Sequence, residues 1–482
     1  MIAEAAPVMP PMFDHLLGET RRHAGPVAYT LGNLASVDYL SAMAETEWLT
    51  RSSPEQVRAV SHARLHRYLE YCYTHSAFWR DRWPARWRRF SVDESEAVLA
   101  DLPVLTKEDL RRHGDKLHIK PSQRHAGDGY PGVPGQIENF SGGSTGVPTK
   151  VWQDARFAAR NRAVIDHAYR TLGVYPGRPT FYLWGSNNEL TDIQATPRKR
   201  LSTWARGLIA LPSFAIGPER VRAYVERIDR AQHVDQAICF VHALDTFTRV
   251  LEHDKIAMRR LRRVITGGGK LHPELRERIL RTMADEVYEI YGGRDIGLVG
   301  MEALDHSGIV TFPWHNHVEV LSNGRAVGDG ERGEVHITCL QNYSFAMLRL
   351  ALGDVACHQA RPPGRNRSGI GDVLGRSVEH LTAPNGARID PVSVVHLIGV
   401  LEERPWIRRF QLQQTGFTAA TLRVELWHDP GEAARESYRT TLAAALSRVF
   451  EAPMTLKLEV HEAIAPSASG KHFYCIGWTP PA

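Results

Sequence analysis

Cysteine is scarce: five residues in a chain of 482, at Cys72, Cys239, Cys339, Cys357 and Cys475, with no CxxC spacing. An odd, scattered set argues against a disulfide framework and suits a reducing cytoplasm. No stretch approaches the roughly 18 uninterrupted apolar residues of a membrane span, so no membrane partner is expected. Met1 to Phe13 has no basic region followed by an apolar core, so no signal peptide is expected and the expected location is cytoplasmic. Repeats and low-complexity tracts are missing. Charge of one sign is not in large excess either. Lys and Arg number 59 against 54 Asp and Glu, for a net charge of +5. That mild excess suits small polyanionic ligands and does not require nucleic acid. The densest basic cluster, Arg86-Trp87-Arg88-Arg89, reads as the solvated end of a helical region.

What is present is ordinary globular composition, 43% hydrophobic and 23% charged. The length implies two or three domains. Helical spacing of apolar residues covers Arg58 to Trp79, and Thr106 followed by Asp109 marks a capped helix start. From about Phe140 to Gly375, strand-like and helix-like segments alternate, as α/β layers do. Examples are a strand at Thr180–Trp184, a helix at Pro218–Ile228, a strand at Ala237–Val241 and a helix at Pro273–Met283. Beyond Arg376 a smaller α+β unit follows. It comprises a helix (Pro391–Glu402), strands at Ile407–Gln414 and Leu422–Trp427, a helix at Gly431–Val449 and a strand at Leu456–His461. The polar Gly375-Arg376-Ser377 segment suits a hinge. The expected division is therefore 1–375 and 376–482.

Chemistry concentrates in Ser141-Gly142-Gly143-Ser144-Thr145-Gly146-Val147-Pro148-Thr149-Lys150, which follows a short strand at Gln136–Phe140. Three glycines allow backbone N–H groups to fold inward around an anion. Ser144 and Thr145 add hydroxyls, and Lys150 adds charge. A Gly/Ser-rich surface turn is the other reading. The run is not a Walker A loop, because Val147 and Pro148 separate the last glycine from the lysine. Pro148 also disfavours a helix at that point.

Further along, Val264-Ile265-Thr266-Gly267-Gly268-Gly269-Lys270 reads as a strand ending in three glycines, where a flat ring can lie on bare backbone. Tyr291-Gly292-Gly293-Arg294-Asp295 offers an aromatic ring and a carboxylate, an oxygen ligand of the kind a hard cation prefers. Gly353-Asp354 places a carboxylate after a turn, Leu374-Gly375-Arg376-Ser377 carries an arginine, and Ser467-Ala468-Ser469-Gly470-Lys471 carries a late lysine.

In this order the motifs resemble those of the adenylate-forming superfamily of acyl-CoA ligases, adenylation domains and luciferases. His75-Ser76-Ala77-Phe78-Trp79-Arg80, Leu102-Pro103-Val104-Leu105-Thr106-Lys107 and Phe410–Gln414 resemble its phenylacetate–CoA ligase-like branch. The resemblance covers about Tyr68 to Lys471. It implies an α/β fold, with a large multi-layer N-terminal domain and a small mobile α+β C-terminal domain. The implied reaction is activation of a carboxylic acid, aromatic in this branch, as an acyl-adenylate, followed by transfer to coenzyme A. Amide formation, carrier-protein loading, nitrite activation and a degenerate nucleotide binder are the alternatives.

The resemblance also implies roles. Ser141, Gly142, Gly143, Ser144, Thr145, Gly146 and Lys150 would hold the phosphates of ATP. Gly267, Gly268, Gly269, Tyr291, Gly292, Asp354 and Arg376 would hold the rest of the nucleotide, and Asp295 would hold Mg²⁺. Asp295 stands where relatives have Glu, and Gly269 where they have an acidic residue. Lys471 and Arg376 would be catalytic, with Trp184, Phe240, His242 and Tyr291 around the acid. Some branch members bind zinc. Here Cys357 stands alone, Ala303 follows Glu302, and His315 and His317 lack thiolate partners. No structural zinc is expected, and the two histidines read as surface or pocket residues. Relatives are often dimers, so a homodimer is compatible with the resemblance.

Overall fold

A computed structural model describes residues 24–120, 135–141, 149–184, 196–211, 213, 216–231, 233–360, 365–371, 373, 381–385, 388–389, 394, 397–398, 402, 404–465 and 473–478. The first part is helical, with helices at Val37–Arg51, Pro54–His75, Ala77–Arg80, Ser95–Asp101 and Lys107–Leu117. Local chemistry sets where they begin. Ser53 and Gln56 form a reciprocal capping box ahead of Pro54, and Thr106 and Asp109 form another. The Pro54–His75 helix buries Leu65, Tyr68, Leu69 and Cys72 in a core shared with Val335, Ile337 and Leu350. The Arg86 cluster sits on a single 3₁₀ turn, Ala85–Trp87, with Arg86 paired to Asp101.

A short hairpin comes next, β1 (Ile137–Ser141) with β2 (Thr149–Gln153). Then come β3 (Thr180–Leu183), β4 (Leu208–Leu211), β5 (Gln236–Phe240), β6 (Leu261–Gly267), β7 (Ala284–Gly293) and β8 (Gly297–Glu302). They are followed by β9 (Ile309–Thr311), β10 (Asn316–Ser322), β11 (Arg325–Ala326), β12 (Arg332–Cys339), β13 (Leu350–Gln359) and β14 (Gly369–Gly371). Strands β3 to β14 form one sheet of 12 in the order β11-β10-β12-β13-β14-β9-β8-β7-β6-β5-β3-β4.

The sheet is parallel from β4 to β7 and antiparallel beyond. Strand β7 makes the change within its own length. Its residues up to Glu289 pair with β6, and those from Ile290 pair with β8. Helices Pro218–Arg230, Val241–His253 and Pro273–Thr282 bury Val221, Leu244, Phe247, Leu275 and Ile279 against β5 and β6. The parallel strands read as apolar runs because both of their faces are covered.

The last part has its own core. Strands β15 (Leu381–Thr382) and β16 (Arg388–Ile389) pair with each other. Strands β17 (Ile407–Gly416), β18 (Ala419–Leu426), β19 (Thr455–Val460) and β20 (Cys475–Ile476) form a second sheet, order β19-β18-β17-β20. The Glu432–Val449 helix lays Tyr438, Leu442 and Leu446 on it. Each such fully buried leucine stabilises by about 1.5–3 kcal/mol. Strand β18 starts earlier than the sequence pattern implies, because Gly416 pairs with Ala419 across a tight hairpin. The expected Pro391–Glu402 helix lies mostly outside the described residues. Val394, Leu397 and Ile398 are buried in this core.

Candidate functional site

The register of the parallel strands brings the expected residues to one edge. Leu183 lies beside Cys239, Phe240 beside Gly267, and Thr266 beside Glu289. Trp184, Phe240 and Gly267 therefore stand at or just past the carboxyl ends of three neighbouring strands, level with Ile290, where β7 leaves β6. That is where open α/β sheets hold ligands.

Glycine is required along this edge. A Cβ on Gly267 would come within 3.0 Å of Ile290 Cγ1 and 3.3 Å of the Trp184 ring. Gly268 has φ +81°, and a Cβ there would lie 2.4 Å from Phe240 Cε1. A Cβ on Gly269 would lie 3.0 Å from His242 Nε2, so an acidic residue at this position would displace the imidazole. The Trp184 and Phe240 rings stack at 4.1 Å and 19°. Three expected pocket residues, Trp184, Phe240 and His242, thus surround the glycine ledge.

Tyr291 continues β7 past the ledge, and its hydroxyl donates to Asp354 Oδ2 at 2.7 Å. Asp354 sits in β13 after Gly353, whose φ of +80° suits glycine. The chain turns back at Gly292, where a Cβ would come within 2.5 Å of the Gly297 carbonyl oxygen. Asp295, in that turn, is buried.

The hairpin clamps the same turn. Asn139 Nδ2 and Gln153 Nε2 both donate to the Arg294 carbonyl, at 3.4 and 2.7 Å, and Gln153 Nε2 also reaches the Asp295 carbonyl at 3.3 Å. The expected phosphate loop joins β1 to β2, the hairpin whose Asn139 and Gln153 hold the Asp295 turn. Residues 142–148 lie outside the described set, as do Arg376 and Lys471. Strand β2, not a helix, follows the loop, as Pro148 led one to expect. Lys150 is exposed and ion-paired with Glu138 at 2.6 Å, over the Trp152 ring. A phosphate there would compete with Glu138.

Sequence reasoning assigned no role to a polar cluster behind the ledge. The Glu289 carboxylate accepts from the Leu271 N–H at 3.2 Å, which fixes the chain as it leaves the glycines. Burial, then the neighbouring charge of Glu302, pushes its pKa up to about 7. Glu302 is buried, accepts from the Glu289 N–H at 2.8 Å, and pairs with Arg276 at 2.6 Å and His306 at 3.0 Å. Glu289 stands inside the Tyr291 motif, two residues ahead of the ring, and that adjacency was its only signal. Asn139 and Gln153 had none.

The expectation for His315 needs correction. It is not a surface residue. It is 1% exposed, stacked on Phe157 at 6.1 Å, with no hydrogen-bond partner at Nε2. Burial and then the charges of Arg160 and Arg64 push its pKa down to about 3. Surroundings that repel a proton also disfavour a metal cation. Among the described residues, no group of three or more His, Cys, Asp or Glu is placed to hold a metal, and no helix is long and apolar enough to cross a membrane.

The chain has the fold of the adenylate-forming ligases, a large mixed sheet followed by a small α+β unit. It is similar to 2-hydroxyisobutyryl-CoA ligase in the postadenylation state, at 18% identity over 87% of this chain and 89% of that one, with a TM-score of 0.64. The same ligase in the thioesterification state, with its acyl-adenylate and CoA, gives 20% identity, 86% and 88% coverage and a TM-score of 0.52. Fatty acyl-adenylate ligases from E. coli and L. pneumophila give 14% identity, 70% and 67% coverage and a TM-score of 0.52. No protein-family profile and no curated sequence matches the chain.

Proposed function

We propose that this protein activates a carboxylic acid with ATP as an acyl-adenylate, releases pyrophosphate, and transfers the acyl group to coenzyme A. The observation that carries the reading is the meeting of separate motifs at one sheet edge. The glycine ledge, the Tyr291–Asp354 pair and the Asp295 turn clamped by the β1–β2 hairpin all lie where the fold holds ligands.

The roles are those that the motif order implies, and the contacts of the described residues support them. Ser141 to Lys150 receive the triphosphate. The bare backbone of Gly267 to Gly269 receives the adenine, beside Tyr291 and Gly292. Asp354, with Oδ2 held by Tyr291, is oriented toward the ribose hydroxyls, and Arg376 contacts the nucleotide. The Asp295 carboxylate, an oxygen donor of the kind a hard cation takes, would hold Mg²⁺. The bound ion would neutralise charge on the phosphates. Lys471 stabilises the charge that builds as the acid attacks the α-phosphorus. Residues 1–375 form the nucleotide- and acid-binding domain, and 376–482 the mobile domain that carries Lys471.

The flat Trp184–Phe240 stack, with His242 at its edge, supports an aromatic acid. The overlays on one ligase in two states, 0.64 against 0.52 at nearly equal coverage, support a small domain standing in the arrangement that follows adenylation.

The test is pyrophosphate release with ATP and Mg²⁺ over aryl, aliphatic and amino acids and nitrite, each with and without coenzyme A. Release that depends on one acid, rising with coenzyme A and giving a thioester, is the expected result. An amine or carrier-protein product would replace the acceptor. Absence of release with every acid, from protein that binds ATP, would overturn the reading in favour of a nucleotide binder.

A further inference from the structure

One helix face links the glycine ledge to the small domain. On the Val241–His253 helix, His242, the adjacent Asp245 and Thr246, Arg249 and His253 recur every three or four residues and so share a stripe. His242 meets Gly269 at the N-terminal end. The rest of the stripe meets residues from beyond 400. The Tyr474 hydroxyl donates to Asp245 Oδ2, the Arg409 guanidinium donates to the Thr246 hydroxyl, and Trp427 stacks on His253 at 4.1 Å and 8°.

Asp245 is the centre of this contact. It is 4% exposed, yet it faces two guanidiniums: Arg249 Nε at 3.2 Å and Arg278 Nη2 at 2.9 Å from the neighbouring helix. Burial alone would raise its pKa, but those arginines and the Tyr474 hydrogen bond hold it below the usual carboxylate range. Tyr474 is firmly placed on its own side. Its carbonyl accepts from the Leu412 N–H at 2.8 Å, its ring packs on Phe410, and the Phe473 carbonyl accepts from Gln411.

We propose that Tyr474, through Asp245 and with Arg409–Thr246 and Trp427–His253 beside it, is a positioning residue that locks the small domain in the arrangement seen here, in which the acyl-adenylate stands before the acceptor step, and lets go for that step. This rests on the adenylate-forming reading. Two features make Tyr474 suited to it. Tyr474 follows Lys471 by three residues, a length of chain that spans at most about 11 Å, so the anchor limits where the lysine can range. The lock is also reversible. When Tyr474 withdraws, Asp245 keeps Arg249 and Arg278, so no buried charge is stranded. The side chains that part are a hydroxyl, a guanidinium and an indole, all of which water can solvate.

The test compares Tyr474→Phe and Thr246→Val with the unaltered full chain in three measurements. Hydroxyl-radical footprinting of Trp427 reports docking with no substrate present. Pyrophosphate exchange with benzoate and the other aryl acids reports adenylation. Thioester formation from synthetic benzoyl-adenylate and coenzyme A reports the second step. The expected result is at least a twofold rise in Trp427 labelling. Exchange should fall about 10- to 100-fold, the effect of losing one hydrogen bond to a charged group. Thioester formation should stay within twofold, with thermal midpoints retained. Unchanged Trp427 labelling in both variants would overturn the lock, as would both half-reactions falling together. Failure of the unaltered chain to exchange pyrophosphate with every aryl, aliphatic and amino acid and nitrite would count against the adenylation reading, and Trp427 labelling would then decide the lock alone.

Discussion

Replacing Gly268 with alanine tests whether the glycine ledge is shaped by contact or merely by backbone freedom. Two costs are separable in the structure. The first is conformational. At φ +81° an alanine pays for the left-handed region, about 1–2 kcal/mol. The second is steric. The new Cβ would start 2.4 Å from Phe240 Cε1, so the ring must retreat by roughly 1 Å to reach ordinary contact. Crowding of that kind costs about 1–3 kcal/mol. Gly268→Ala should therefore lose about 2–5 kcal/mol of unfolding free energy.

The second cost belongs to Phe240 and should vanish with it. In a Phe240→Ala background, Gly268→Ala should lose only about 1–2 kcal/mol, leaving a coupling of about 1–3 kcal/mol. Urea unfolding of the four proteins measures it. The retreating ring also leaves Trp184, which it now stacks at 4.1 Å. Gly268→Ala should therefore raise the KM for the acid through the displaced ring, and the KM for ATP as well, because the altered backbone is the one assigned to the adenine. An equal loss in both backgrounds would refute the contact argument, because the penalty would then be purely conformational.

Three further outcomes follow from single contacts. Tyr291→Phe removes the hydrogen bond that orients Asp354, so the KM for ATP should rise about tenfold, and an unchanged KM would remove Asp354 from the nucleotide site. Glu289 binds a proton more tightly folded than unfolded, so its contribution to stability is complete below pH 4.5 and lost as pH rises through about 7. Glu289→Gln keeps the neutral form and should gain up to about 3 kcal/mol on the native protein above pH 7, read by urea unfolding at pH 5 and 8. His315 behaves in the opposite sense. Its pKa is depressed to about 3, so its contribution is present above pH 6.5 and fades as pH falls. Between pH 7 and 5 the native protein should lose about 2 kcal/mol more than His315→Gln, and parallel losses would show that His315 protonates freely.

Much of the fold was legible because local rules govern it. The capping boxes at Ser53 and Thr106, the apolar runs of β5 and β6, and the alternation that ends in the small unit all follow from neighbours within a few residues. The glycines were legible for a related reason, since a residue chosen for lacking a side chain marks a place where something else comes close. Trp184, Phe240 and His242 were grouped by the family resemblance, and the fold brings them together because each stands at or just past a strand end and parallel strands end on the same side.

Contacts that cross the sheet leave no such trace. Tyr291 and Asp354 lie 63 residues apart, and Asp245 and Tyr474 lie 229 apart. Nothing in the periodicity of either segment announces its partner. His315 shows the converse error. Its polarity argues for water, but the fold presses it onto Phe157 between the charges of Arg160 and Arg64. Asp245 looks, in sequence, like any helical aspartate with an arginine four residues on, a pattern that normally marks a solvated face. Burial turns the same pair into a carboxylate that needs Arg278 to be tolerated at all and that still has room for one more donor. The small C-terminal unit supplies that donor through Tyr474. The site is therefore legible where neighbours in the chain build it, and the contact between the large sheet's helix and the small unit becomes visible only once the chain is folded.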